Sequence, residues 1–356
     1  MFSYRRRRLL ASSFKRALRW EFWPTWIFYI PVGIYIFLLT LRYRGLSFTA
    51  VNPGMSGSGF VSDEKSRSLL QLQAAMPKHV AATLLLRRGQ PVEQQLSACD
   101  QFMLSQKLSY PIVAKPESGQ RGIDVAIIDD KEQLRGYLSQ AHFDSIIQEY
   151  VGSIEMGVFY YRLPIQNQGH IFSLTRKCFP SITGNGRDTL EDLILAHPRL
   201  HYMARFLLAQ HRSELDQVPD SGEQVALVRL GTHSRGSLFL EGESYRSKAL
   251  EVVIDQLSQS LPDFFFGRYD VRANDMDSFQ KGDFKIIEVN GVTSESTNMY
   301  DPKYSVFTAY KIMFEQWRLA FVIGQQNIAR GHVAMSFFSL LDKVRFMNRG
   351  SNINLP

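Results

Sequence analysis

The sequence predicts a mixed α+β fold behind an N-terminal membrane helix, and three observations carry that prediction. Short apolar runs of strand length alternate with capped segments of helical spacing through the body of the chain. Several neighbouring strands are joined by turn-rich stretches, which favours hairpins over a doubly wound sheet. Residues 22–41, FWPTWIFYIPVGIYIFLLTL, carry no charge, and a run of this length is about what a helix needs to cross a hydrocarbon core.

The charge is unevenly distributed. The 356-residue chain has a formal net charge of +7. Residues 1–44 hold nine basic side chains (Arg5, Arg6, Arg7, Arg8, Lys15, Arg16, Arg19, Arg42, Arg44) and one acid, Glu21, so the remaining 312 residues sum to −1. A nucleic-acid partner for the body is therefore not expected. The two cysteines, Cys99 and Cys178, lie in no CxxC or Cys/His cluster, which argues against zinc and against a disulfide framework. They read as reduced thiols in a cytosol-facing protein.

Residues 1–21 form a basic N-terminal segment and 22–41 the membrane helix. Trp20, Trp23, Trp26 and Tyr29 gather at one end and Tyr43 lies past the other, as interfacial anchors do. Seven basic residues precede the run and two closely follow it. Positive-inside placement of a spanning helix would then send the body outside. Pro31 removes a backbone donor in mid-segment and can break the helix. A re-entrant or in-plane helix would keep both flanks on the cytoplasmic face. A cleaved signal peptide is the competing reading, but no small-x-small site follows cleanly.

The elements follow in order. NPGMSGSGF (52–60) reads as a flexible loop, within a linker over 42–61. SDEKSRSLLQLQAAM has a capping-type start at Ser62, helical spacing of Leu69, Leu70 and Leu72, and Pro77 beyond its end. HVAATLLLRRG reads as a strand, 92–107 as a helix, and YPIVAKPESGQRGIDVAII (110–128) as two strands around a Gly-containing turn. DDKEQLRGYLSQA is a capped helix and SIIQEYV a strand. Further strands are expected near 156–163, 169–178 and 224–230, and helices at 188–197, 199–213 and 246–260. The tail beyond 315 mixes apolar faces with Arg318, Arg330, Lys343 and Arg345. It reads as helices on the body or on anionic lipid, with core packing favoured for its Phe and Leu positions.

Two late strands carry the chemistry. GRYDVRA (267–273) and DFKIIEVN (283–290) are separated by the turn-rich NDMDSFQKG. Paired as an antiparallel hairpin about residue 279, they set Asp270 opposite Glu288 and Arg268 opposite Asn290. Alternation puts Ile286, Glu288 and Asn290 on one face, with Ile287 and Val289 on the other. Two carboxylates and an amide carbonyl then converge, and oxygen-only ligands suit Mg²⁺. A solvent-facing strand with paired charges is the plain alternative. In VAKPESGQRG, Lys115 ends an apolar strand ahead of Gly119 and Gly122, a loop able to offer backbone N–H groups to phosphate. The GxxxxGK[ST] order of a Walker loop is absent.

The stretches YPIVAKPESGQRGIDV, IIQEYVGSIE, GRYDV and IIEVNGVTSES stand in the order found in ATP-grasp carboxylate–amine ligases, and the chain resembles that family. PSITGNGRDTLEDLI with VPDSGEQVALVRLGTHSRGSLF is most similar to the cyanophycin-synthetase and ribosomal-protein glutamate-ligase branch, whereas GVTSES resembles D-alanine–D-alanine ligases. The resemblance implies an ATP-grasp domain over 62–315, two α+β subdomains gripping ATP, with a C-terminal helical extension over 316–356. It implies phosphate contacts from Lys115 and Lys65, and an adenine-reading hinge at Gln148, Glu149 and Val151. Glu155 matches the acid on the ribose hydroxyls. Asp270, Glu288 and Asn290 match the Mg²⁺ (or Mn²⁺) ligands, and Arg268 the arginine that steadies an acyl phosphate. Arg176 or Lys177 would add a phosphate contact, Ser294 or Ser296 would bind substrate, and the Gly119–Gly122 loop would be the lid.

The resemblance implies a membrane-associated, ATP- and Mg²⁺-dependent ligase that joins a carboxylate to an amine through an acyl phosphate. Its catalytic domain would face the cytoplasm, and a homodimer is compatible. Departures bear on the substrate. Only 64 residues precede Lys65, Asn185 stands where an acid is common, and GTHSRG brings His233 and Arg235. The short N-terminal region suggests a lipid-linked or headgroup substrate presented at the membrane; an anchor that merely tethers the enzyme near small-molecule or peptide substrates is the even alternative. The competing functions are a nucleotide-binding regulator or scaffold without turnover, and an acyl phosphate captured by a thiol or hydroxyl or phosphoryl transfer without ligation.

Overall fold

A computed structural model describes residues 19–60, 65–119, 122–228 and 237–350, with Arg5 and Arg16. The architecture is α+β, and the named strands pair antiparallel throughout. After helix α1 (Thr25–Arg42) and a compact segment, α2 (Lys65–Ala75) leads into β1 (Thr83–Leu86), α3 (Val92–Gln106), β2 (Ile112–Pro116), β3 (Ala126–Ile128), α4 (Lys131–Gln140) and β4 (Ser145–Glu149). These strands form a sheet of order β1-β4-β2-β3. Leu96, Cys99, Met103, Leu134 and Leu138 of α3 and α4 cover it, with Ile112, Ala114 and Ile147 beneath. The Asp130 carboxylate caps α4 by accepting from Gln133 N at 2.8 Å, as the sequence leads one to expect.

The chain then enters β5 (Ile154–Tyr161) and β6 (His170–Cys178). Next come β7 (Ser181–Thr183), α5 (Leu190–Ala196), α6 (Ala204–Gln210) and β8 (Gln224–Ala226), a small lobe around Ile194, Leu207 and Leu227. The sequence does not reveal β7 or the later strand Leu238–Glu241, and the helix expected over 199–213 is shorter, its first part being a tight turn at Leu200–Met203. β9 (Leu238–Glu241), α7 (Lys248–Ser260), β10 (Phe266–Ala273), α8 (Met276–Gln280), β11 (Lys285–Asn290), α9 (Val306–Ala329) and α10 (Phe337–Gly350) complete the order. The second sheet runs β11-β10-β5-β6-β9. Met156, Val158, Tyr160, Tyr269 and Val271 line its apolar face and pack on Leu250, Ile254 and Leu257 of α7.

Three expectations need correction. The turn-rich NDMDSFQKG contains α8, because Asp275 caps it through Ser278 N at 2.7 Å. The linker is buried: Phe48, Val51, Asn52 and Ser58 are each at most 3% exposed. Asn52 explains why a Gly/Ser-rich stretch packs. Its Oδ1 accepts from Phe265 N and Phe266 N at 2.8 and 2.9 Å, and its Nδ2 donates to Phe266 O at 2.6 Å. Glycine supplies the other reason, since a Cβ on Gly291 would lie 2.6 Å from Ser58 O. Finally, α9 runs unbroken across the boundary expected at 315/316, and its buried Met313, Trp317, Ala320 and Phe321 belong to a core cluster shared with β5 and β10 residues.

α1 is long and apolar enough to cross a membrane by length and composition. It continues through Pro31 rather than breaking there. Phe28 stacks on Tyr310 and Tyr35 packs on Phe314, at centroid distances of 5.0 and 4.5 Å, so the turns on either side of the proline are held in line by α9. Ser62, His233 and Arg235, and Gln120 and Arg121 of the expected lid, lie outside the described residues.

Candidate active site

The polar face of the second sheet is built by strand alternation. β5 contributes Glu155, and β6 contributes Lys177, its register partner. β10 contributes Arg268, Asp270 and Arg272, and β11 contributes Glu288 and Asn290. The hairpin register is the expected one, with Asp270 opposite Glu288 and Arg268 opposite Asn290. One detail differs. A bulge lets Val271 pair with Ile286 and leaves Ile287 without a partner residue. Ile286 therefore joins Val289 on the buried apolar face, not Glu288 and Asn290. Bulges re-aim strands in this way.

The bulge gives the cleft a carbonyl. Lys115, on β2 of the first sheet, donates from Nζ to Gln148 Oε1 at 2.8 Å and to Ile287 O at 2.9 Å. Burial pulls the Lys115 ammonium down to about 8, against the fields of Glu288 and Asp270 that favour its charge, while Lys65 adds to the lowering. Lys65, at the start of α2, places Nζ 3.2 Å from Glu288 Oε1. Lys65 thus pairs with a hairpin carboxylate, while Lys115 bonds the carbonyl of the residue next to it.

Asp270 anchors a buried network. Its Oδ1 accepts from Arg268 Nε at 3.0 Å and its Oδ2 lies 3.1 Å from Lys177 Nζ. Burial opposes its ionisation, but Arg268 and Lys177 outweigh burial and hold the carboxyl at about 2. Lys177 also donates to Glu155 Oε1 at 2.7 Å, and Arg272 donates from Nε to Glu155 Oε2 at 3.1 Å. Burial alone would lower Lys177, yet Asp270 and Glu155 raise it. Arg268 is raised for the same reason, chiefly by Asp270.

Several expected contacts are already spent inside the chain. Glu155 is 5% exposed, and its two oxygens are engaged by Lys177 and Arg272. Ser296 is fully buried, sharing hydrogen bonds with Ser173 Oγ and Asn298 Oδ1 at 2.5 and 2.8 Å. Ser294 Oγ donates to Gly291 O at 2.6 Å, a bond within its own loop. Arg176 pairs with Met156 on the other face and donates to Tyr245 Oη at 3.2 Å. At the end of β4, Glu149 N donates to Ala82 O at 2.8 Å, and in the β4–β5 connection Val151 O accepts from Arg272 Nη1 at 2.9 Å. Gln148 Nε2 bridges Thr83 Oγ1 at 3.0 Å and Ile287 O at 3.3 Å.

Residues the sequence reading passes over include Glu117, 6% exposed, which accepts from Ser66 Oγ at 2.7 Å and from Ser66 N at 3.2 Å. It fixes the first turn of α2, beside Lys65. Its place two residues after Lys115 was the available signal. Among the described residues, no three His, Cys, Asp or Glu side chains gather as metal ligands. Asp270, Glu288 and Asn290 are two carboxylates and an amide, and Asn290 Nδ2 is buried without a hydrogen-bond partner. The three side chains carry the oxygen type that Mg²⁺ takes; the unpartnered Asn290 nitrogen is a hydrogen-bond donor and no ligand, and Asp270 would have to release Arg268 or Lys177 to reach an ion.

No family model matches the sequence. No curated protein matches it either. Among solved structures, the chain is similar to the VanG D-Ala:D-Ser ligase from Enterococcus faecalis at TM-score 0.41 and 14% identity, covering 74% of this chain and 61% of that one. It is similar to the D-alanine–D-alanine ligase from Bacillus anthracis at TM-score 0.41 and 14% identity, covering 77% and 70%. The bifunctional glutathione synthetase from Pasteurella multocida follows at TM-score 0.38 and 12% identity, covering 71% of this chain and 36% of that one. The chain therefore spans less than two thirds of two of these three proteins. The likenesses are faint, and the residues themselves must carry the function.

Proposed function

We propose that the chain is a membrane-associated ATP-grasp ligase, dependent on ATP and Mg²⁺, that forms an amide bond between a carboxylate and an amine. One observation carries this reading: Lys65 pairs with Glu288, and Lys115 of the first sheet bonds the adjoining Ile287 carbonyl, so two lysines from different elements gather beside the Asp270–Glu288 pair. That grouping suits a triphosphate, whose crowded oxygens need cations on several sides. Three of the four sequence stretches resembling the ligase family contribute Lys115, Asp270 and Glu288.

Asp270, Glu288 and Asn290 would hold Mg²⁺, which when bound neutralises charge on phosphate oxygens. Lys65 would exchange Glu288 for phosphate, and Lys115 would turn from Ile287 O and Gln148 toward the same group. A substrate carboxylate oxygen attacks the γ-phosphorus, the β–γ bridging bond breaks, and ADP leaves. Arg268, already beside Asp270, is placed to steady the acyl phosphate. An amine then attacks the acyl carbon, phosphate leaves, and the amine proton passes to solvent. Catalysis by this route keeps the cleft on the cytoplasmic side, where ATP is available.

A regulator without turnover finds support in Asp270, whose two oxygens are both taken by Arg268 and Lys177. The deciding experiment is phosphate release by the purified full chain with ATP, Mg²⁺ and a broad panel of acids and amines, wild type against Glu288→Ala. Ligation predicts release that depends on Glu288 and products lighter than the joined pair by one water. Equal background in both proteins, with magnesium–nucleotide still bound, favours the regulator.

A further inference from the structure

α1 presents two faces of opposite fate. Phe28, Val32 and Leu39 are buried against α9 and its neighbours. Trp26, Ile30, Ile34, Phe37, Leu38 and Leu41 recur at helical spacing, and each is more than half exposed. A globular protein rarely leaves so large an apolar stripe in water.

The buried face decides how that stripe can meet a bilayer. α1 runs parallel to α9: Phe28 stacks on Tyr310, Tyr35 packs on Phe314 and Tyr43 stacks on Phe321. Both ends are also tied to the body. Trp20 Nε1 donates to Tyr304 O at 3.1 Å, and Gln325 Nε2 donates to Tyr43 O at 3.0 Å. A spanning α1 would carry α9 into the hydrocarbon, with Lys311, Glu315 and Arg318 on it, a placement that membranes penalise. Lying flat, the same helix buries only its stripe. Phe307, 81% exposed at the start of α9, lines an open hollow of about 730 Å³ on the α1–α9 seam with Tyr35, Tyr310 and Phe314, and both Lys311 and Glu315 border it. Residues 1–44 carry a net +8, the sign that anionic headgroups attract.

We propose that α1 is an in-plane anchor on an anionic leaflet, with its stripe in the acyl layer, both flanks on one side, and the α1–α9 hollow at the headgroup boundary. This deepens the membrane association proposed above and is independent of the ligation chemistry.

The test uses the full chain on vesicles of phosphatidylglycerol and phosphatidylcholine, carrying a nitroxide at Trp26→Cys, Ile30→Cys, Ile34→Cys, Phe37→Cys or Leu41→Cys. An in-plane helix gives all five probes similar access to oxygen and similar shielding from a water-soluble relaxant. A depth profile peaking near Ile34 and falling toward both ends means a spanning helix and overturns the proposal. Water exposure at all five positions, or spin coupling to a second copy, overturns it too. In a second arm, Ile30→Glu with Ile34→Glu should cut co-flotation with these vesicles about tenfold while far-ultraviolet dichroism is unchanged. Wild-type flotation should weaken on phosphatidylcholine alone, and equal binding to both vesicles would overturn the anionic preference. ATP turnover measured in the same samples separates the outcomes: a failed anchor leaves Glu288-dependent phosphate release in place, and a failed ligase leaves the depth profile in place.

Discussion

Lys115 Nζ lies 2.9 Å from the carbonyl of Ile287, the residue that the β10–β11 bulge removes from pairing. β11 is the edge strand of its sheet and Ile287 is half-buried, so this carbonyl needs a partner from another element. Here it meets a lysine from the opposing sheet, so the irregularity and the cation satisfy one another across the cleft. The contact also sets Lys115 within reach of Glu288 and Asp270, where burial draws its ionisation down to about 8.

That lowering gives the first prediction. In the folded chain Lys115 loses its proton as pH passes about 8, well below an unfolded lysine near 10.4. The cation offered to phosphate is present below that value and fades above it. Magnesium–nucleotide affinity, followed by calorimetry from about pH 7 to about pH 9, should weaken as pH rises. Lys115→Arg stays charged throughout, so its affinity should lack that slope. For stability the sign is reversed. Between the folded and unfolded values the unfolded chain binds more protons, so this group favours folding as pH rises through that window.

Asp270 titrates in the other direction. Its carboxyl is held at about 2, Arg268 and Lys177 prevailing over burial. Its contribution to stability is complete above the unfolded value near 3.9 and is lost as pH falls toward the folded one. Asp270→Asn should remove that acid dependence. Because Lys177 and Arg268 then face a neutral amide in a buried site, it should also cost about 3–5 kcal/mol near neutral pH. Urea unfolding of both proteins at neutral and acid pH checks both statements.

The hairpin register was legible because side chains alternate and a symmetric turn leaves one pairing that brings Asp270 to Glu288. The bulge was not, since a single unpaired residue at Ile287 leaves no compositional mark. Glu155 and Ser296 show a different limit. Their residue types suit ligand binding, but Lys177, Arg272 and Ser173, which occupy them, lie on other strands or far along the chain. The linker misled for a third reason. Gly and Ser over 52–60 suggest mobility, whereas the same small residues let backbones approach closely, as Gly291 does against Ser58.

Asn52 tests that last point. Its side chain serves three backbone groups of Phe265 and Phe266 at the start of β10. Asn52→Ala would leave those groups buried without partners, and each orphan costs about 1–3 kcal/mol. The expected loss is about 3 kcal/mol or more in denaturant unfolding, with β10 amides exchanging faster. A change of only a few tenths would mean that the 42–61 segment contributes little to holding the sheet.

Tyr29 connects the anchor to the cleft. Its hydroxyl donates to the Glu295 carboxylate, Tyr300 Oη donates to the other Glu295 oxygen at 3.0 Å, and Arg268 Nη1 donates to the Glu295 carbonyl at 2.9 Å. A helix proposed to sit on the leaflet therefore grips the loop that supports the arginine proposed to act on the acyl phosphate. Tyr29→Phe keeps the aromatic packing and removes only the hydroxyl, so vesicle binding should be unchanged. Amide exchange across 291–297 should accelerate, and turnover should fall severalfold, more on vesicles than in detergent. If exchange in that loop does not respond, the anchor holds the protein at the membrane without positioning its chemistry.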